Sequence, residues 1–150
     1  MELIQEFIYR VYLKEPLQIG TGPYGTRIYY EIASGEIKGE RLTGKLVSGG
    51  GDWMISGNDG WWRPDVRAQI QTDDDALLGL SYDGLVEVNQ KFQQAVDAAA
   101  GTDYEDHYFR IRPKLETGDS RYSWVNHTLF VGKGHIVGPF ALEYTVYRVS

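Results

Sequence analysis

The sequence predicts a mostly β protein, a single antiparallel β-barrel of about eight to nine strands with one α-helix. Apolar and polar side chains alternate with period two through most of the chain, which is typical of strands that bury one face. Glycine and Asx residues interrupt the alternation where turns are expected. Closure into a barrel is favoured because it leaves no exposed sheet edges, and a two-sheet sandwich is the alternative.

Nine alternating runs predict the strands. The Asn58-Asp59-Gly60 run predicts a hairpin, because these residues tolerate positive φ. Ser34-Gly35 and the three glycines at 49–51 predict further breaks between strands. In chain order the predicted strands span residues 6–13, 27–33, 36–47, 52–56, 61–72, 76–86, 108–116, 122–132 and 138–149.

One segment, residues 88–100, predicts an α-helix. It consists mostly of good helix formers, and Phe92, Val96 and Ala99 fall on one face at helical spacing. Asn89 suits the N-cap, and Gly101 suits the C-terminal stop.

Composition narrows the possible functions. The 150 residues fit one domain, residues 1–150, and 42% of them are hydrophobic. The formal net charge of −6, with no basic cluster, argues against binding to nucleic acid. The chain has no cysteine, so it forms neither disulfides nor thiolate sites. Residues 1–10 do not read as a signal peptide and no run is apolar enough for a membrane helix, so we expect a cytoplasmic protein without membrane association.

Three blocks of sequence follow one another in an order and spacing that resemble a known family. They are the run at 49–53, the run at 65–74 and the run at 108–126, which residues 130–134 extend. Together they resemble the family known as domain of unknown function 3237, also called uncharacterised protein family 0311. The resemblance spans nearly the whole chain.

The resemblance implies a small β-barrel of the allene oxide cyclase-like or lipocalin-like kind. Related barrels bind apolar or phenolic metabolites, and some catalyse cyclisation or isomerisation. It therefore implies a barrel lumen that binds a small organic molecule. We expect an isomerase or cyclase of the oxa-Michael or keto-enol type, acting without a cofactor on a phenolic or polyketide-like metabolite. The alternative is a non-catalytic binding protein for a small hydrophobic or aromatic ligand.

The strand at 61–72 admits two orientations. Its even positions from Val66 to Ile70 are apolar, and its odd positions include Asp65 and Arg67. In the first orientation the apolar face is core and the polar face meets water. In the second, Asp65 and Arg67 point into the lumen, because ligand-binding barrels can keep a polar interior. The apolar face Val66, Ala68 and Ile70 would then form the contact of a homo-oligomer.

Of the candidate catalytic residues, Asp65 and Arg67 require the second orientation, whereas Tyr82 lies on the predicted strand at 76–86 and Arg110 lies in the family-like block that begins at 108. Arg67 or Arg110 would stabilise negative charge on oxygen, Asp65 would orient Arg67 or act as a base, and Tyr82 would carry a proton. The candidate ligand-binding residues are aromatic and amide side chains in or beside the family-like blocks: Trp53, Tyr108, Trp124 and Asn126.

No metal site is predicted. The three histidines lack the spacing of zinc motifs, and each is expected at the surface. No serine lies in the strand-turn-helix motif of hydrolases. Catalysis would therefore depend on the shape of the lumen and on proton transfer.

Overall fold

The computed structural model describes all 150 residues and has ten strands and one α-helix. The strands are β1 (Leu3–Leu13), β2 (Leu17–Gly22), β3 (Gly25–Gly39), β4 (Thr43–Ser56), β5 (Trp61–Arg63), β6 (Asp65–Thr72), β7 (Leu77–Glu87), β8 (Phe109–Glu116), β9 (Phe130–Gly138) and β10 (Ala141–Val149). The helix α1 is Gln90–Ala98, and Tyr104–Asp106 and Ser120–His127 are 3-10 segments.

Eight of the strands close into a ring. Their order is β1, β3, β4, β6, β7, β8, β9, β10 and back to β1, and all neighbours are antiparallel. Strand β2 adds to β3 outside the ring, and β5 bridges β4 and β7. The predicted mostly β, barrel-like fold is confirmed.

Alternation places the apolar face of each ring strand inside. On β6, Val66, Ala68 and Ile70 are each less than 5% exposed, and the residues between them are exposed. On β1, Phe7, Tyr9 and Val11 share the inner face in the same way. Full burial of one large aliphatic side chain is worth about 1.5–3 kcal/mol, so the summed rows hold the ring closed around its core.

Two predicted breaks between strands are wrong, because β3 and β4 continue through them. The register of their pairing shifts between Glu31 and Glu36, and that of β4 with β6 shifts between Val47 and Gly51. Such bulges bend a strand without ending its pairing. The predicted strand at 61–72 is instead divided in two at Pro64, which has no N–H to donate to a sheet.

The predicted helix is confirmed, with a different end. The Asn89 side chain accepts a hydrogen bond from the Phe92 N–H over 3.0 Å, so Asn89 is the N-cap. The helix stops at Ala99, whose φ of 52° is left-handed, before Gly101 is reached. Phe92 and Ala95 bury the inner face of α1 against the barrel.

The predicted strand at 122–132 is wrong over its first half. Ser120–His127 is a 3-10 segment, and β9 starts at Phe130. Asp119 caps the segment by accepting from the Arg121 N–H over 2.9 Å. Side-chain hydrogen bonds to nearby backbone compete with sheet pairing, so this cap favours the 3-10 segment.

Candidate functional site

A largely apolar cavity of about 250 Å³ lies between α1 and the inside of the barrel. Sixteen of its 20 lining residues are hydrophobic, including Met54, Trp62, Phe92 and Phe109. Phe140, which also lines it, is 48% exposed, so the cavity reaches solvent there. Ligand pockets usually measure about 300–1,000 Å³, so this one suits a compact molecule.

One carboxyl group interrupts the apolar wall. Asp52 on β4 lines the cavity and is 8% exposed. Its cross-strand partners are Tyr30 on β3 and Val66 on β6, and Val66 pairs in turn with Tyr82 on β7. Directly paired residues of antiparallel strands project to the same face. The four side chains therefore form one row on the inner face of the barrel.

Two more tyrosines meet this row across the lumen. Tyr9 on β1 pairs with Tyr144 on β10, and their rings stack with centroids 5.5 Å apart. The Tyr9 and Tyr82 hydroxyls are 3.2 Å apart, which links strands that are not neighbours in the ring. The Tyr82 ring meets the Tyr9 and Tyr144 rings edge-on. We call Asp52, Tyr9, Tyr30, Tyr82 and Tyr144 the Asp52–tyrosine cluster.

The Asp52 carboxyl titrates far above its ordinary range. Burial raises its pKa from 3.8 to about 6. The Asp65 backbone N–H donates to Asp52 Oδ1 over 2.9 Å, which opposes the rise, and the nearby Asp65 carboxylate adds to it. This hydrogen bond is the only one that the protein gives the carboxyl group, so Oδ2 is available to a bound molecule.

The tyrosines of the cluster are held in the protonated form. Burial raises the pKa of the Tyr9, Tyr30, Tyr82 and Tyr144 hydroxyls, and the negative charge of Asp52 contributes to each rise. The cluster thus combines one carboxyl that ionises near pH 6 with phenols that donate hydrogen bonds.

A glycine makes room for one member of the cluster. Gly134 on β9 pairs with Tyr144, and a Cβ at this position would lie 2.7 Å from the Tyr144 ring and 3.1 Å from the Phe109 ring. No side chain fits unless the Tyr144 ring moves. The position of Tyr144 therefore depends on the absence of a side chain on the neighbouring strand.

The expectation that Asp65 and Arg67 face the lumen is wrong. Both are exposed on the outer face of β6, opposite the buried Val66 and Ala68. Only one face of an alternating strand can be inside, and the apolar one is favoured because a buried, unpaired arginine would be costly. Asp65 reaches the cluster only through its backbone N–H.

Three further candidates also lie on the outer surface, so the expected convergence on the lumen does not occur for them. Tyr108 is 46% exposed, and the Arg110 guanidinium lies 4.9 Å from the centre of its ring. Between them in sequence, Phe109 takes the inner position. Trp53 is 42% exposed and packs beside Tyr29, on the face of β4 opposite Asp52.

Trp124 and Asn126 do not share a strand face, because both lie in the 3-10 segment. The Arg41 guanidinium covers the Trp124 ring at 3.7 Å. The Asn126 side chain accepts from the N–H of Thr117 and donates to its carbonyl, each over 2.9 Å. Asn126 therefore closes the loop after β8 and does not face the cavity.

Tyr82 is the one predicted residue that lies in the cluster. Asp52 and Tyr144 were not predicted, although both carry a readable signal. Asp52 alternates with the buried Met54, and Tyr144 alternates with the buried Val146, so each is a polar group on an apolar face. The glycines before Asp52 obscured which face of β4 is internal.

Two other expectations also need correction. The predicted oligomer contact of Val66, Ala68 and Ile70 is wrong, because all three are buried inside the ring. His107, expected at the surface, is only 5% exposed, and its Nε2 lies 2.8 Å from the Thr102 hydroxyl.

No three His, Asp or Glu side chains converge as a metal ion would require. The one α-helix is too short and too polar to cross a membrane.

Sequence comparison finds relatives along nearly the whole chain. Residues 1–149 match the family described as "Protein of unknown function (DUF3237)". A UPF0311 protein of Clostridium acetobutylicum is 30% identical over 132 residues, which cover 87% of this chain and 84% of that protein. A UPF0311 protein of Rhodopseudomonas palustris is 31% identical over 115 residues, covering 77% of this chain and 73% of that one.

Solved structures share the fold. A protein described as β-barrel-like from Acinetobacter baumannii is 28% identical, with a TM-score of 0.85 and coverage of 99% of this chain and 96% of that one. A conserved protein of unknown function from Rhodopseudomonas palustris is 25% identical, with a TM-score of 0.90 and coverage of 99% and 97%. A structure described as an enzyme from Penicillium herquei is 18% identical, with a TM-score of 0.70 and coverage of 99% and 94%. This last likeness concerns the fold alone.

Proposed function

The chain belongs to the family described as "Protein of unknown function (DUF3237)", and we propose that its barrel binds a small organic molecule and isomerises or cyclises it. The substrate class is a compact phenol or ketone of aromatic or polyketide-like character. No cofactor takes part in the proposed chemistry.

One observation carries the proposal: the lining of an apolar cavity includes a single carboxyl group, which has a free oxygen and a pKa of about 6. A carboxyl that ionises near the working pH can both accept and return a proton. The apolar walls favour a flat, uncharged body, and the buried phenols offer hydrogen-bond donors to an oxygen of the ligand.

Keto-enol isomerisation needs only these groups. The Asp52 carboxylate takes a proton from the carbon next to the substrate carbonyl, and the electron pair moves onto the carbonyl oxygen. A hydroxyl of Tyr30 or Tyr144, both of which line the cavity, donates a hydrogen bond to that enolate oxygen. Asp52 then returns the proton to the enolate oxygen, which gives the enol, so atoms and charge balance.

Ring closure of the oxa-Michael type uses the same groups. Asp52 takes the proton of a phenol, and the phenolate oxygen adds to the β-carbon of an unsaturated ketone in the same molecule. The electron pair moves to the ketone oxygen, where a tyrosine hydroxyl stabilises it. Asp52 protonates the α-carbon. The cavity contributes by holding the substrate folded, which lowers the entropic part of the barrier.

The second candidate function is binding without turnover. The small size of the cavity and the hydrophobic character of most of its lining favour retention of a hydrophobic or aromatic ligand. In this case Asp52 and the tyrosines orient a hydroxyl or carbonyl group, and no bond changes.

Ligand binding is tested with 2-naphthol and its methyl ether, 2-methoxynaphthalene, by calorimetric titration. We expect 2-naphthol to bind more tightly, because only its hydroxyl can donate to Asp52. Ala95→Leu adds three carbons to the cavity wall and should weaken both ligands. If a folded Ala95→Leu variant bound each ligand as tightly as the parent protein does, binding in this cavity would be contradicted.

Catalysis is tested by hydrogen-deuterium exchange of 2-tetralone, an aromatic ketone, followed by NMR. The exchange rate should exceed that of the buffer and rise with pH through about 6, as Asp52 ionises. Asp52→Asn should remove the enhancement and retain the fold. Asp65→Asn is the matched control, since it removes a neighbouring carboxyl on the outer face. Tight binding of 2-tetralone without enhanced exchange would instead favour the binding protein.

The predicted homo-oligomer remains a prediction, now without the contact face proposed for it. A different face must supply the contact, because Val66, Ala68 and Ile70 are internal. Light scattering at micromolar concentration measures the outcome, and particles of only 17.0 kDa would contradict it.

A further inference from the structure

A second concave surface lies on the outside of the barrel, where β8 meets β9. Pairing of these strands is limited to Arg110 with Lys133 and Ile111 with Gly132. A groove of about 850 Å³ lies over this seam. Pro64 is the only residue that lines both the groove and the interior cavity, so the two are separate sites. We call it the seam groove.

Two cations stand side by side in the seam groove. Arg110 and Lys133 are direct cross-strand partners, and like charges in this arrangement destabilise a sheet. Neither forms an ion pair. Arg110 donates to the Phe109 carbonyl over 3.0 Å and lies against the Tyr108 ring. The Lys133 ammonium lies 4.6 Å from the centre of the Tyr104 ring.

The other charged groups of the groove do not neutralise this pair. Asp83 is the only carboxylate among the lining residues, and Arg112 holds it through two hydrogen bonds of 2.8 and 2.6 Å. Arg63, which also lines the groove, is paired with Asp59 at 2.6 Å. The chain has a net charge of −6, so carboxylates are plentiful elsewhere. Two unneutralised cations at one seam therefore point to an external anion.

The groove also offers apolar surface beside the cations. Leu3 is 60% exposed and Leu85 is 42% exposed, and Val131 and Tyr147 continue the same wall. An inorganic anion would leave this surface uncovered. A ligand with an anionic group and an apolar body would cover it.

We propose that the seam groove binds an organic anion, with its carboxylate or phosphate group held between Arg110 and Lys133. The guanidinium donates two hydrogen bonds to such a group and the ammonium adds a third, while the body of the ligand lies on the apolar wall. This site is independent of the proposed chemistry in the barrel interior.

The test titrates the whole chain with 2-naphthoate, 2-naphthyl phosphate, neutral 2-naphthamide and inorganic phosphate, by calorimetry at low salt. We expect both naphthyl anions to bind more tightly than the amide and than inorganic phosphate. Their relative affinities identify the preferred anionic group. Arg110→Gln and Lys133→Gln should each weaken both anions about tenfold or more, as expected for loss of a charge-assisted hydrogen bond.

Two controls locate the binding. Lys114→Gln removes another unpaired cation of β8 that lies outside the groove, and it should leave affinity unchanged. Ala95→Leu narrows the interior cavity, so it should weaken 2-naphthol and not the naphthyl anions. Anion affinities unaffected by either groove substitution would overturn the proposal. So would inorganic phosphate binding as tightly as 2-naphthyl phosphate, because the apolar wall would then contribute nothing.

Discussion

The inner and outer faces of strands β6, β7 and β8 follow the same alternation and carry opposite kinds of chemistry. The outer faces carry charged residues such as Arg67 and the Asp83–Arg112 ion pair, all in contact with water. The inner faces carry apolar side chains and Tyr82, which is 4% exposed. Charged groups on the outer face are numerous and interact only weakly with one another. A single polar group on the inner face changes the pKa of the groups around it.

Asp52 shows the consequence of this difference most clearly. It is one carboxyl group among 21 Asp and Glu residues, yet its burial gives it a pKa of about 6. Asp83, paired with Arg112 on the outside, has its carboxyl pKa lowered by that partner. Residue type does not separate these two aspartates. The surroundings decide which of them can exchange a proton near neutral pH.

The largest change in stability is expected from placing a charge on the inner face of β6, and a charge on its outer face serves as the comparison. Val66→Asp puts a carboxyl group among buried apolar side chains and should lower the free energy of unfolding by roughly 3 kcal/mol or more. Arg67→Asp, one residue away on the outer face, should change it by about 0.5 kcal/mol or less. Urea unfolding at pH 7 measures both. Similar losses in the two variants would contradict the inward orientation of Val66.

A smaller effect, of opposite sign, is expected from Asp52→Asn. The folded protein binds the Asp52 proton more tightly than the unfolded chain does, so ionisation of Asp52 lowers stability as pH rises from about 4 to 6. Above pH 6 the full cost applies, on the order of 2–3 kcal/mol for a shift of this size. Asparagine keeps the acceptor for the Asp65 N–H and carries no charge.

Asp52→Asn should therefore raise the free energy of unfolding at pH 8 and have little effect at pH 4. Urea unfolding at the two pH values gives the comparison. Asp65→Asn provides the control, because its carboxyl lies on the outer face and its removal should give only the small gain that follows from losing its repulsion of Asp52. A stability gain for Asp52→Asn that is equal at both pH values would exclude burial of the charge as its cause.

The next largest change in stability is expected when the hydrogen bond across the lumen is removed. Tyr82→Phe removes the hydroxyl that lies 3.2 Å from the Tyr9 hydroxyl and leaves Tyr9 without this partner. The loss of stability should be about 1–2 kcal/mol, the usual cost of leaving a buried hydroxyl unpaired. The double variant Tyr9→Phe with Tyr82→Phe should lose less than the sum of the single variants. Additive losses would show that the two hydroxyls do not interact.

The smallest effect is expected on the outside. Arg112→Gln breaks the ion pair with Asp83, whose side chain is about half exposed. Exposed ion pairs contribute about 0–1 kcal/mol because water and salt screen them. Thermal unfolding should therefore show little change, and less at higher salt. A large loss would mean that the pairing of β7 with β8 depends on this ion pair.

The alternation of apolar and polar side chains made much of the fold predictable from the sequence. It fixed which residues of each strand share a face, as for Phe7, Tyr9 and Val11, because side chains of a strand alternate whatever its neighbours are. The hairpin at 58–60 and the Asn89 cap followed from local conformational preferences. These features depend on residues close together in the chain, so the sequence alone was sufficient for them.

The tertiary structure decided which faces meet and which segments stay paired. Asp52 joins Tyr30 and Tyr82 only because the pairing registers of β3, β4, β6 and β7 align them, after bulges that the glycines at 49–51 permit. The 3-10 segment that removes Trp124 from any strand face depends on contacts with residues distant in sequence, such as Arg41. A shift of one residue in register would move Asp52 to the outside. Register is set by the packing of the whole ring, which no local pattern contains.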